Sequence, residues 1–91
     1  MDDLRVSDFE VGEAYEVEAG GQIHVLTVAV VEELRQAARD AGAFRLEFSG
    51  PPQPILDQAI YTMRGSRRSD DIFIVPVAAD PSRVTYEAIF V

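Results

Sequence analysis

The chain contains no cysteine, no tryptophan and no lysine, and its one histidine is His24. Without cysteine there are no disulfides, no thiolate chemistry and no Cys-ligated zinc. A single imidazole leaves no second histidine from which to build a transition-metal site. No apolar run approaches the length of a membrane-spanning helix. The opening stretch MDDLRVSDFE lacks the basic region and apolar core of a signal peptide. These absences lead to the expectation of a soluble, cytoplasmic protein with no membrane association and no cofactor. All eight basic residues are arginine, which reads as genomic composition bias rather than a recognition device.

What is present is an ordinary globular balance, with 47% hydrophobic and 26% charged residues in a chain of 91. That length predicts one small domain over residues 1–91, with a thin stability margin. The net charge is −8, and seven acids (Asp2, Asp3, Asp8, Glu10, Glu13, Glu16, Glu18) face Arg5 alone before Gly20. Such a field repels phosphate backbones, so nucleic acid is not an expected partner. A solvated acidic edge accounts for the cluster, and a docking surface for a basic partner is the alternative.

The patterning is that of strands. Ala14 to Glu18 alternates strictly, Tyr15 and Val17 on one face and Glu16 and Glu18 on the other. Glycines in AGGQ then supply a tight hairpin turn. The run IHVLTVAVVEEL is apolar and β-branched on both faces, which predicts a long central strand carrying His24, Leu26, Val28 and Val30 on one side. Residues 32–42 read as a short helix or a long loop capping an open end of the sheet. AFRLEFSGPP returns to period two, with Phe44, Leu46 and Phe48 inward, and the prolines end it. A strand follows around Ile60 to Arg64, then a polar loop, GSRRSDD. DIFIVPVAA and RVTYEAIFV form a last hairpin through DPSR, where Asp80 and Pro81 suit the first two positions of a type I turn. Phe73, Val75 and Val77 are placed on one face, with Phe73 in the core beside Phe44, Phe48 and Phe90. Pro76 falls in phase with Ile72 and Ile74 on the opposite face, and demands an edge or a bulge. Six strands at this spacing predict a small all-β, antiparallel barrel or sandwich, with the last hairpin as its closing seam.

Phe9, Gly12 and Tyr15, then FRLEFSGP (Phe44 to Pro51), Tyr61, IFIVPV (Ile72 to Val77) and YEAIF (Tyr86 to Phe90) together form a recognisable order of motifs. In this order the chain resembles a family of small bacterial domains of about ninety residues known only as a domain of unknown function. The family pattern is F-x-L-x-F-x-G-P, then I/L-F-x-V-P-V, then a C-terminal Y-E-A-x-F, and the likeness spans nearly the whole chain. It implies no catalytic residues. It does imply an accessory place beside phage-tail-like or surface-fibre components. One departure is EELRQAARDAGA, which is more helix-like than the family loop there.

The residues offer little catalytic chemistry. His24 reads as a packing or edge residue. Ser7, Ser49, Ser66, Ser69 and Ser82 fall in loops without a base in a recognisable motif. Adjacent acids on a strand point to opposite faces, so Glu32-Glu33, Asp70-Asp71 and Asp2-Asp3 do not converge. Asp70, Asp71 and Asp80 read as solvated loop acids rather than a calcium site. Arg64, Arg67 and Arg68 form a basic tip, either a solubilising loop or a complement to the acidic N-terminal region of another copy or partner. Glu87 is expected to pair across the sheet with Arg45 or Arg64. Arg64, Arg67, Arg68 and Glu87 are the candidate partner-binding residues. The functional expectation is a non-enzymatic protein-interaction or assembly module, self-association included. A small-ligand-binding barrel is the alternative, and a small enzyme the third option.

Overall fold

Alternation becomes strand structure along most of the chain. A computed structural model describes residues 4–35 and 42–91. A short 3-10 turn at Val6–Asp8 leads into β1 (Ala14–Ala19), β2 (Gln22–Leu34), β3 (Ala43–Gly50), β4 (Ala59–Arg64), β5 (Ser69–Asp80) and β6 (Arg83–Phe90). All neighbours are antiparallel, and the order β1-β2-β3-β6-β5-β4 closes the sheet into a barrel. The all-β, six-stranded architecture follows from the period-two pattern. β2 continues through Glu32, Glu33 and Leu34, so the expected helix or loop does not begin there. The rest of that prediction, residues 36–41, lies outside the described residues.

The turns follow from local chemistry. Ala19 pairs with Gln22, leaving Gly20 and Gly21 at φ of 60° and 77°, a left-handed pair that glycine adopts without a Cβ penalty. At the last hairpin the Asp80 carboxylate accepts the Ser82 and Arg83 amides at 2.7 and 3.1 Å. That fixes the chain around Pro81 without any positive φ.

Inward side chains from all six strands fill the barrel: Tyr15, Val17, Leu26, Val28, Phe44, Leu46, Phe48, Met63, Ile72, Ile74, Val84 and Tyr86 are each under 2% exposed. Phe9 packs at one end on Tyr15, Phe44 and Phe90. Leu56 is buried at the other, its amide donating to the Tyr86 hydroxyl at 2.9 Å. Two register shifts redirect side chains. One, between Val28 and Val30, brings Val31 rather than Val30 against the core. The other, between Pro76 and Ala78, accommodates the proline.

Two expectations need correction. The face of β5 is inverted: Ile72 and Ile74 are buried, while Phe73 and Val77 are each 51% exposed. The run is apolar on both faces, so composition did not identify the inner one. The closing seam is also elsewhere. β6 lies between β3 and β5, and the ring closes between β1 and β4.

The inverted face sets a direct test. Phe48→Ala is expected to lose roughly 3–5 kcal/mol, the usual range for a buried aromatic. Phe73→Ala should lose about 1 kcal/mol or less, because half of its ring is already in water. Urea unfolding of both variants checks the assignment. Equal losses would contradict it.

Candidate functional site

β1 and β4 each have six residues, whereas β2 and β5, the strands that flank them, have 13 and 12. The two short strands meet through two pairs, Glu16 with Arg64 and Val17 with Met63. Continuing that register would set Glu18 opposite Thr62 and Ala19 opposite Tyr61. The strands part there instead. A cleft of about 370 Å³ opens, lined by Glu18, Ile60, Tyr61, Thr62 and Arg64. A larger cleft of about 540 Å³, between the β1–β2 hairpin and residues 54–57, also has Tyr61 in its wall.

Local folding sets the walls of this groove. His24 is buried on β2, its Nε2 lying 3.2 Å from the Ala19 carbonyl of the same hairpin. The Tyr61 hydroxyl donates to the Asp57 carbonyl at 2.7 Å, holding the 54–57 segment against β4. Both polar side chains therefore engage the chain's own backbone. Ile60, 69% exposed, and Ile55, 53% exposed, supply apolar rims, and Glu18 and Asp57 supply acidic ones. The groove thus offers aliphatic contact, carboxylates and strand backbone. Among the described residues no group of three or more histidines and carboxylates is placed to hold a metal ion.

The opposite end of the seam is clamped. Arg67 reaches Glu13 at 2.9 Å, and Arg68 reaches Asp8 at 3.1 Å and Asp70 at 2.5 Å. The basic tip therefore meets the acidic N-terminal region within one chain. Partial burial raises the Glu13 carboxyl, but the Glu10 amide, Arg67 and the Tyr15 hydroxyl outweigh it and hold the group below its usual range. Burial, reinforced by the charges of Glu13 and Asp70, pushes the Tyr15 phenol up to about 12. Gly65 belongs to this clamp. A Cβ there would lie 2.7 Å from the Tyr15 ring, so glycine permits the close approach.

The four candidate residues are not brought together. Arg64 stands at the groove, opposite Glu16, and among the described residues it makes no ion pair. Arg67 and Arg68 occupy the clamp. Glu87 lies on β6, where Arg45 donates to it at 3.2 Å, to Glu32 at 3.0 Å, and also to Glu47. Glu47 and Glu87 are direct cross-strand partners, and the Arg45 guanidinium offsets their repulsion. Hydrogen bonds that Arg45 donates to Glu47 and Glu32 raise its pKa despite partial burial. Asp70 and Asp71 begin β5 while Asp80 ends it, so the three do not meet. Sequence reading missed the groove, whose one local signal is the shortness of two strands that are distant in sequence.

Two measurements probe these assignments. Arg45→Met leaves Glu47 facing Glu87 and is expected to lose about 1 kcal/mol at low salt, less as screening rises. Urea unfolding at two ionic strengths reads this. For Tyr15, the raised pKa means stability is full below the ordinary phenol value of 10.0 and falls as pH rises towards about 12. Alkaline titration of tyrosinate absorbance should show a last step, coincident with unfolding, that Tyr15→Phe lacks.

No helix among the described residues is long and apolar enough to cross a membrane. No match was found among curated proteins or among solved structures. The family model described as Domain of unknown function (DUF6916) matches residues 4–90, and with nearly its whole length covered the chain belongs to that family.

Proposed function

We propose that this chain is a non-enzymatic interaction or assembly module that joins a protein partner along the β1–β4 side of the barrel. The observation that carries the reading is the two-pair seam opening into a groove with aliphatic and acidic rims. Exposed Ile60 and Phe73, paired across β4 and β5, extend apolar surface from that rim. The net charge of −8 favours a protein partner over nucleic acid or an anionic membrane surface. Of the four candidate residues, Arg64 is the one this reading uses at the groove. The setting is the bacterial cytoplasm, with the module accessory to a larger phage-tail-like or fibre-like structure, as the family resemblance implies.

A second reading has its own observation. The cleft of about 540 Å³ beside His24 and Tyr61 is within the size range of small-molecule sites, so a small ligand held at the barrel mouth is the alternative.

A photo-crosslinking amino acid placed at Ile60, with Glu33 at the end of β2 as the control position, tests the first reading in the cell that makes the protein. One discrete adduct from position 60, identified by mass spectrometry and absent from position 33, is the expected result. Equal labelling from both positions, or none from 60, overturns it.

A further inference from the structure

We infer that the groove accepts an extended segment of a partner protein, added as a strand along β4 and carrying arginine or lysine side chains. This rests on the reading of the chain as an interaction module. The first ground is backbone pairing. Every residue of Ala59–Thr62 pairs with β5, but none of the four has a registered partner on the β1 side. In an antiparallel strand alternate residues aim N–H and C=O to opposite sides. Ile60 and Thr62 are therefore the two that direct both groups to the β1 side, Thr62 adjoining the paired Met63 and Ile60 lying farther along the cleft. Such an edge is a template for strand addition.

The second ground is charge. Glu18 and Asp57 stand exposed along the groove, with Arg64 as the one cation lining it among the described residues. An incoming basic segment finds carboxylates on both walls, and an acidic one is repelled by them and by the net charge of −8. Ile60 and Ile55 lie beside the same path. Side chains of an added strand alternate, so basic residues would face the carboxylates while apolar ones cover the isoleucines. The Ala59–Thr62 stretch, at about 3.3 Å per residue, sets the contact at roughly four partner residues.

The experiment uses a blocked peptide of alternating arginine and valine, the same peptide with alternate amides N-methylated, and a glutamate–valine counterpart. Binding to the full chain is followed by calorimetry, and protection of β4 amides by hydrogen exchange. The arginine peptide is expected to bind and to protect two amides within Ala59–Thr62. N-methylation, which removes neutral backbone hydrogen bonds, and Glu18→Arg, which removes a charge-assisted one, should each weaken it roughly tenfold. Glu33→Arg makes the same charge change away from the groove and should have a much smaller effect. Equal binding of the N-methylated peptide overturns strand addition. Equal losses in the two variants reduce the effect to net charge and overturn the site. Failure of every peptide to bind, with a specific adduct still formed from position 60, overturns the extended-segment inference while the interaction module stands. Failure of both removes the two together.

Discussion

Closure of the sheet rests on two residue pairs, Glu16 with Arg64 and Val17 with Met63. A six-stranded ring has no free edge only if its first and last neighbours meet, and here they meet over a fraction of their length. The clamp beside the seam explains how so short a contact suffices. Arg67 and Arg68, in the loop after β4, reach Glu13 and Asp8, in the segment before β1. These ion pairs bridge the same two strands at one end. Tyr15 packs over Gly65 there, adding a large apolar contact to exposed pairs that are weak singly. With one end fixed, the other can diverge without opening the core.

The core tolerates the divergence because its ends are sealed by residues outside the strands. Phe9 lies against three aromatic rings where β3 begins and β6 ends. Leu56, tied through its amide to the Tyr86 hydroxyl, covers the end nearer the groove. The segment that carries Leu56 also supplies Ile55 and Asp57 to the groove wall. One buried hydrogen bond thus links packing of the barrel end to the shape of the candidate site. Its loss would leave a buried phenol and a buried amide without partners, which is costlier than the bond is stabilising.

Legibility in the sequence followed contrast between faces. Tyr15-Glu16-Val17-Glu18 and Phe44-Arg45-Leu46-Glu47-Phe48 alternate apolar and charged residues, and their inner faces were plain. Ile72-Phe73-Ile74-Val75 has no such contrast, so its residues alone do not distinguish the inner face from the outer. The face of β5 is instead fixed by pairing with β4, where Met63 opposite Asp70 sets the phase. The same limit applies to Val30, displaced by a bulge that no residue in VAVVEEL announces. The cross-sheet pairing of Arg45 with Glu87 was foreseeable, because both flank strong inward positions on clean strands. The groove was not. It arises from the relative lengths of β1 and β4, and their adjacency is a property of the closed ring rather than of either segment.

The charge distribution ties the open edge to solubility. An unpaired edge beside exposed isoleucines invites association between identical chains, and proteins commonly guard such edges with charge. Here the guards are Glu18 and Arg64, in a chain with twice as many acids as bases. Two copies approaching edge to edge bring carboxylates against carboxylates, a repulsion not compensated by the single arginine on each side. A segment of opposite charge meets no such barrier, and its approach is accelerated by the same field. On the proposed reading the acidic excess acts as a filter. It disfavours pairing of the edge with its own kind, and it leaves the edge open to a basic strand from elsewhere.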